Sequence, residues 1–197
     1  MKVLVTGGSS LIGAGVAEAL SHRGDEAAVF QRSRSTSLSS GIEQVLGDVR
    51  DAEAVGAAVA GRDAVIHLAA KVGVVGAREE YESINVGGTA NVVEAIRRHG
   101  VERFVHVSSP SVAHGGESIV GGGADPAITG HGTAWYPVTK ARGERIALDA
   151  ASDTCGVVVV RPHLVWGPGD TQLVGRIVER ARAGRLALVG GGRALVD

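Results

Sequence analysis

From Lys2 onward, short β-branched runs alternate with alanine-rich stretches of helical spacing, and this alternation restricts the fold more than any other feature. The spacing predicts strands over residues 2–6, 27–31, 44–46, 64–68, 103–108 and 156–161, and helices over 13–23, 52–60, 83–99 and 137–151, with a poorly defined helix between the second and third strands. Strands separated by crossover helices must run parallel, because each right-handed crossover returns the chain to the same edge of the sheet. The expectation is an α/β fold, a Rossmann-type doubly wound parallel sheet. Composition agrees: 44% of residues are apolar but only 3% aromatic, and 30 are glycine, as suits buried strands covered by small-residue helices.

Two stretches break the rhythm. Residues 111–135 are glycine-rich, contain Pro126 and lack periodicity, which predicts a long loop over the carboxyl edge of the sheet, where loops usually bind ligands. In the tail, residues 172–183 have helical spacing and 186–189 the pattern of a short strand. The expected organisation is a nucleotide-binding domain over 1–166 and the beginning of a small C-terminal lobe over 167–197. The sequence ends right after an apolar run, Ala194-Leu195-Val196, which predicts a polypeptide that continues past Asp197.

With 20 basic against 21 acidic residues and no long run of either sign, the chain has no footprint for nucleic acid or a membrane surface. Cys155 is the only cysteine, and the seven histidines lack the close pairing of zinc sites, so neither a disulfide nor a metal is expected. No stretch has the length of a membrane span and Met1 runs straight into a strand, which predicts a cytoplasmic protein without a signal peptide.

The first expected strand ends in Thr6-Gly7-Gly8-Ser9-Ser10-Leu11-Ile12-Gly13 and a helix follows. Gly7 permits a tight turn, and Gly13 lets the helix pack closely and aim its amide dipole at a dinucleotide's pyrophosphate. Gly7, Ser9, Ser10, Leu11, Ile12 and Gly13 are therefore candidate cofactor contacts. After the second strand the sequence reads Phe30-Gln31-Arg32-Ser33-Arg34, with no acidic residue to hold an adenosine ribose. Arg32, with Arg34 in reserve, can pair with a 2′-phosphate, which favours NADP(H) while leaving NAD(H) possible; a solvated basic turn is the other reading. Gly47-Asp48-Val49 follows the third strand, placing Asp48 to accept from the adenine amino group unless it is simply an exposed turn residue.

Tyr136 and Lys140 lie four apart, on one helical face. The charge of Lys140 can lower the phenol's pKa and its ammonium can bind the nicotinamide ribose, so that Tyr136 exchanges a proton with a substrate oxygen as hydride moves. Upstream, Val107-Ser108-Ser109-Pro110-Ser111 brings a hydroxyl to the carboxyl edge, from Ser108, Ser109 or Ser111.

These segments, with His67-Leu68-Ala69-Ala70, Asn85-Val86-Gly87-Gly88-Thr89 and Arg161-Pro162-His163-Leu164-Val165-Trp166-Gly167-Pro168-Gly169, together resemble the extended short-chain dehydrogenase/reductase family. That family includes the NAD-dependent epimerase/dehydratases and the 3β-hydroxysteroid dehydrogenases. The resemblance implies that Ser109 is the catalytic hydroxyl, that Leu68, Ala69 and Ala70 line the cofactor, that Asn85 supports the site, and that Pro162 and Val165 approach the nicotinamide carboxamide. It also implies a homodimer formed through the helices near Asn85 and Tyr136. Two departures matter: Ser10 stands in place of the usual middle glycine, adding a side chain near the pyrophosphate, and Ala113-His114 replaces the Tyr-Gly of sugar-nucleotide enzymes. The flanking segments look most like the 3β-hydroxysteroid dehydrogenase branch, which implies interconversion of a ketone and a secondary alcohol on a hydrophobic, lipid- or steroid-like substrate. The alternatives are a nucleotide-sugar epimerase or dehydratase with tightly bound NAD, and a catalytically silent NADP-binding regulator.

Overall fold

A computed structural model describes residues 1–73, 75–114, 122–128, 134–168, 170, 174–187 and 189–192. By the distribution of its contacts the chain forms two compact units, Met1–Arg161 and Pro162–Asp197.

The first unit is built on six parallel strands: β1 (Lys2–Thr6), β2 (Glu26–Gln31), β3 (Glu43–Leu46), β4 (Ala64–His67), β5 (Arg103–Val107) and β6 (Gly156–Val160). Their spatial order is β3-β2-β1-β4-β5-β6. The order reverses direction between β1 and β4, the switch point outside whose carboxyl ends open α/β sheets bind ligands. The doubly wound expectation holds.

The central strands are covered on both faces and largely apolar, whereas the edge strand β6 leaves Val158 and Val160 exposed. Leu4, Phe30, Val65 and Phe104 pack with Val55, Val59, Val92 and Ile96 on one face, beneath α2 (Ala52–Val59), α4 (Gly88–His99) and α5 (Trp135–Leu148). Val3, Val5 and Val29 pack with Ala17 and Leu20 on the other, beneath α1 (Leu11–His22). The helix expected between the second and third strands is absent. Residues 32–42 follow an irregular path, and Leu38 and Ile42 fill the core position a helix would have taken. The segment is tied down at Ser39, whose amide and hydroxyl both donate to Glu18 at 2.7 Å.

The helix expected over residues 83–99 begins earlier and is irregular. A short α3 (Arg78–Tyr81) runs through a π-helical turn, Glu82–Gly87, into α4. Such turns admit one extra residue and recur at functional sites. Gly100, at φ +67°, supplies the left-handed residue that ends α4.

In the second unit, α6 (Val174–Arg182) realises most of the expected tail helix. The strand expected over 186–189 does not form where the residues are described: Leu186 and Ala187 belong to no regular element, and Val189 opens a 3-10 turn, Val189–Gly192. Much of the expected loop over 111–135 lies outside the described residues. Its start is a 3-10 turn, Pro110–Ala113, and its last residue already belongs to α5.

Candidate active site

The carboxyl ends of β1, β2, β3 and β4 enclose a cleft of about 410 Å³. Gly7, Ser9 and Ser10 form its floor, with Arg32, Asp48 and Val49 at one end and Leu68, Ala69 and Ala70 along the wall. The turn after β1 has no room for side chains. Gly7 adopts φ +76°, and a Cβ there would come within 2.9 Å of the Ala69 amide. A Cβ on Gly13 would run into the Gly7 carbonyl. This is a cradle for a backbone-bound group at the N-terminus of a long helix, and it fits a dinucleotide's pyrophosphate.

Ser10, the departure from the glycine pattern, is absorbed by the helix. Its hydroxyl donates to Gly7 O at 2.8 Å and accepts from Gly13 N at 3.0 Å, capping α1. The expected intrusion over the pyrophosphate is therefore replaced by a bonded cap. Leu11, Ile12 and Gly13 form the first turn of α1 without lining the cleft. Asp48 is bound by Arg50, which donates its amide, Nε and Nη2 at 3.0, 2.9 and 2.6 Å. Those bonds hold the Asp48 carboxyl down at about 2, with the charge of Arg32 adding to them. The carboxylate stays ionised and keeps lone pairs for a further donor. Arg34 does not reach the cleft lining, whereas Gln31, Lys71 and Glu80, which carried no sequence signal, do. Lys71 and Glu80 pair at 2.9 Å. Glu80 comes from a helix far along the chain, so only folding reveals it.

Beyond the cleft, at the end of β5, Ser109 caps the 3-10 turn, and its hydroxyl lies 2.9 Å from that of Ser111. It also lies near the Tyr136 phenol. Ser109 is thus placed near the phenol, while Ser108 is buried. Burial raises the Tyr136 pKa above its ordinary value and the nearby Ser109 hydroxyl opposes the rise. Lys140 Nζ donates to Val107 O at 2.6 Å, under only 4% exposure. The ammonium is thus anchored on the strand end, and two of its three donors have no partner among the described residues. Burial pulls Lys140 down to about 8, opposed by the nearby Glu144 carboxylate.

A buried hydrogen-bond chain that sequence reasoning missed runs between these parts. Thr6 Oγ1 accepts from the Leu68 and Ala69 amides at 3.2 and 3.1 Å, so its one proton goes to His67 Nδ1 at 2.7 Å. His67 must then carry its proton on Nε2, which donates to Thr89 Oγ1 at 3.1 Å, and Thr89 donates to Asn85 O at 2.7 Å. Burial, aided by the Lys140 charge, holds His67 down at about 3, so the ring stays neutral. His106, its ring 5.4 Å from that of His67, is likewise held neutral by burial and by Lys140. Asn85 is 2% exposed and stands behind the cleft wall rather than in it. Pro162 and Val165 belong to the second unit.

The sequence matches the model of the NAD dependent epimerase/dehydratase family over residues 3–197. The chain belongs to that family. Among its relatives, a 2-alkyl-3-oxoalkanoate reductase of Stenotrophomonas maltophilia (strain K279a) is 46% identical over 200 residues, covering 100% of this chain and 61% of the relative. A 3-beta-hydroxysteroid dehydrogenase of Mycolicibacterium neoaurum is 35% identical over 204 residues, covering 98% and 55%. Among solved structures, MoeE5 in complex with UDP-glucose and NAD superposes with a TM-score of 0.78 at 29% identity, covering 91% of this chain and 60% of that one. This family member thus spans well under two thirds of the length of such relatives. Among the described residues no helix is long and apolar enough to cross a membrane.

Proposed function

We propose that the chain is the nucleotide-binding part of an NADP(H)-dependent oxidoreductase that interconverts a ketone and a secondary alcohol at the 3-position of a hydrophobic, lipid- or steroid-like substrate. The observation that carries this reading is the Tyr136 phenol standing near the Ser109 hydroxyl, one helical turn from a buried Lys140 anchored on the end of β5. The names of the reductase and dehydrogenase relatives point to the same chemistry.

A nicotinamide cofactor supplies or accepts the hydride when bound. The chain's own residues manage the oxygen and its proton. Tyr136, whose raised pKa keeps the phenol protonated at neutral pH, donates its proton to the oxygen of a ketone being reduced and takes it back in oxidation. Ser109 orients that oxygen by a second hydrogen bond. Lys140, anchored on β5, offers its remaining donors to a ribose hydroxyl and its charge to the developing oxyanion. By the family resemblance Pro162 and Val165 are the residues assigned to the nicotinamide carboxamide, and the second unit is read as the beginning of the substrate lobe. The family resemblance further implies a homodimer formed through the helices near Asn85 and Tyr136.

Incubation with NADPH and a series of 2-alkyl-3-oxo acids and 3-oxosteroids tests the reading. Stoichiometric loss of NADPH with formation of the alcohol is expected. Conversion of a UDP-sugar without net change in cofactor would favour the epimerase reading that the MoeE5 likeness suggests.

Cofactor choice rests on Arg32. Charge-assisted bonds of this kind contribute about 1.5–3 kcal/mol, so Arg32→Ala should weaken NADPH binding roughly ten- to hundredfold and leave NADH within about threefold. Titration calorimetry with both cofactors measures the ratio, and equal losses for the two would refute the assignment. The pH profile follows from Lys140. Its ammonium is the first required proton to leave as pH rises, so kcat/KM for reduction should fall above about 8. Because Glu144 holds that value up, Glu144→Gln should move the alkaline limb to lower pH.

A further inference from the structure

Thr139 lies between Tyr136 and Lys140 in the first turns of α5 and is wholly buried. Its hydroxyl proton goes to the Trp135 carbonyl at 2.7 Å, with the Tyr136 carbonyl at 3.2 Å. Its oxygen accepts from Asn85 Nδ2 at 3.0 Å. The second Nδ2 proton of Asn85 goes to Lys71 O at 3.1 Å, and Asn85 Oδ1 accepts from Lys71 N at 2.7 Å. The amide of Asn85 is therefore fully used, and it joins two places distant in sequence: the chain just after the cleft wall at Ala70, and the turn that carries the proton-transfer pair.

Three features show that this junction is built rather than incidental. Asn85 sits in the π-helical turn, the one irregularity in that long helix, and such turns recur where a side chain must be placed off the regular helical path. One helical turn beyond Thr139, Gly143 lets α5 press directly on the same segment, since a Cβ there would come within 2.6 Å of Asn85 O. That carbonyl is also the end of the chain that starts at Thr6 under the cradle. Floor, wall and helix thus meet at one residue.

We infer that Thr139, acting through Asn85, is a positioning residue that sets the turn bearing Tyr136 and Lys140 against the root of the cofactor cleft. This rests on the proposed reaction only for its kinetic consequence. Thr139→Val keeps the shape and removes both the donor and the acceptor, whereas Thr139→Ser keeps the hydroxyl. Without the clasp the turn loosens, and a misplacement well under the width of an atom is enough to cost rate.

The test has two arms. In cofactor-free protein the Tyr136 phenol is titrated by tyrosinate absorbance. The chain has two tyrosines. The other, Tyr81, is 1% exposed with its hydroxyl bonded to the Gly73 and Val75 carbonyls, and Tyr81→Phe in every variant leaves Tyr136 as the one phenol followed. Burial is what holds Tyr136 up, so Thr139→Val should lower its midpoint by roughly half a unit or more, with Thr139→Ser matching the parent protein. In the holoenzyme, kcat for the ketone should fall about tenfold or more in Thr139→Val, with KM for ketone and cofactor within about threefold, and recover in Thr139→Ser. Should the valine variant not fold, Thr139→Ala carries the same comparison. A titration that overlays the parent, or a serine variant that fails to recover, overturns the inference. A shifted titration with no ketone turned over supports the clasp and defeats the reading of the reaction.

Discussion

Tyr136→Phe is expected to abolish almost all turnover, lowering kcat by about a thousandfold while cofactor binding and the melting temperature stay near the parent values. Phenylalanine fills the same space, so the loss isolates the proton. Ser109 and Lys140 remain in place, but neither can substitute: Ser109 is a weak acid, and Lys140 Nζ is held on the Val107 carbonyl. Single-turnover kinetics with NADPH and an identified ketone would measure it. Retention of more than about a tenth of the parent rate would remove Tyr136 from the mechanism.

The largest loss of stability is expected at the Glu144–Arg161 pair. Glu144, 2% exposed, accepts two bonds from the guanidinium of Arg161 on the far side of α5 from solvent, and those bonds raise the Arg161 pKa. Removing one member of a buried pair leaves the other charge unpaired, at a cost of about 3–5 kcal/mol. In Glu144→Ala, Arg161 would also lose the only carboxylate it bonds among the described residues, with the Lys140 ammonium on the same helix. A fall of about 10 °C in melting temperature is expected for a unit of this size. The double variant Glu144→Leu, Arg161→Met, which removes both charges, should recover most of it. If the single and double variants melt alike, the pair contributes packing and little else.

Much of this was legible in the sequence because it is local. The parallel strands are runs of valine and alanine bounded by turn residues, the cradle is a short glycine pattern in one βα turn, and Tyr136 and Lys140 share a helical face by spacing alone. What was illegible depends on contact between distant segments. The path of residues 32–42 was unpredictable because Leu38 and Ile42 do from a loop what a helical pattern normally announces. Glu80 reaches the cleft, Thr6 reaches His67, and Asn85 reaches Thr139 only after the sheet and helices assemble. The direction of the Lys140 side chain was likewise set by a strand carbonyl, which no spacing rule sees. Ser10 is the instructive case: read as an intrusion, it proves to be a helix cap, because a hydroxyl next to unpaired amides satisfies them before it projects anywhere else.

The irregular segment after β2 has one more consequence. Its packing is carried by Leu38, Ile42 and the Ser39–Glu18 contact, whereas Arg32, Ser33 and Arg34 are exposed ahead of those anchors. Arg32, proposed above to read the adenosine end of a cofactor, is thus separate from the residues that hold the segment in the fold. On the proposed reading, preference for one dinucleotide over another can be changed at Arg32 without repacking the core.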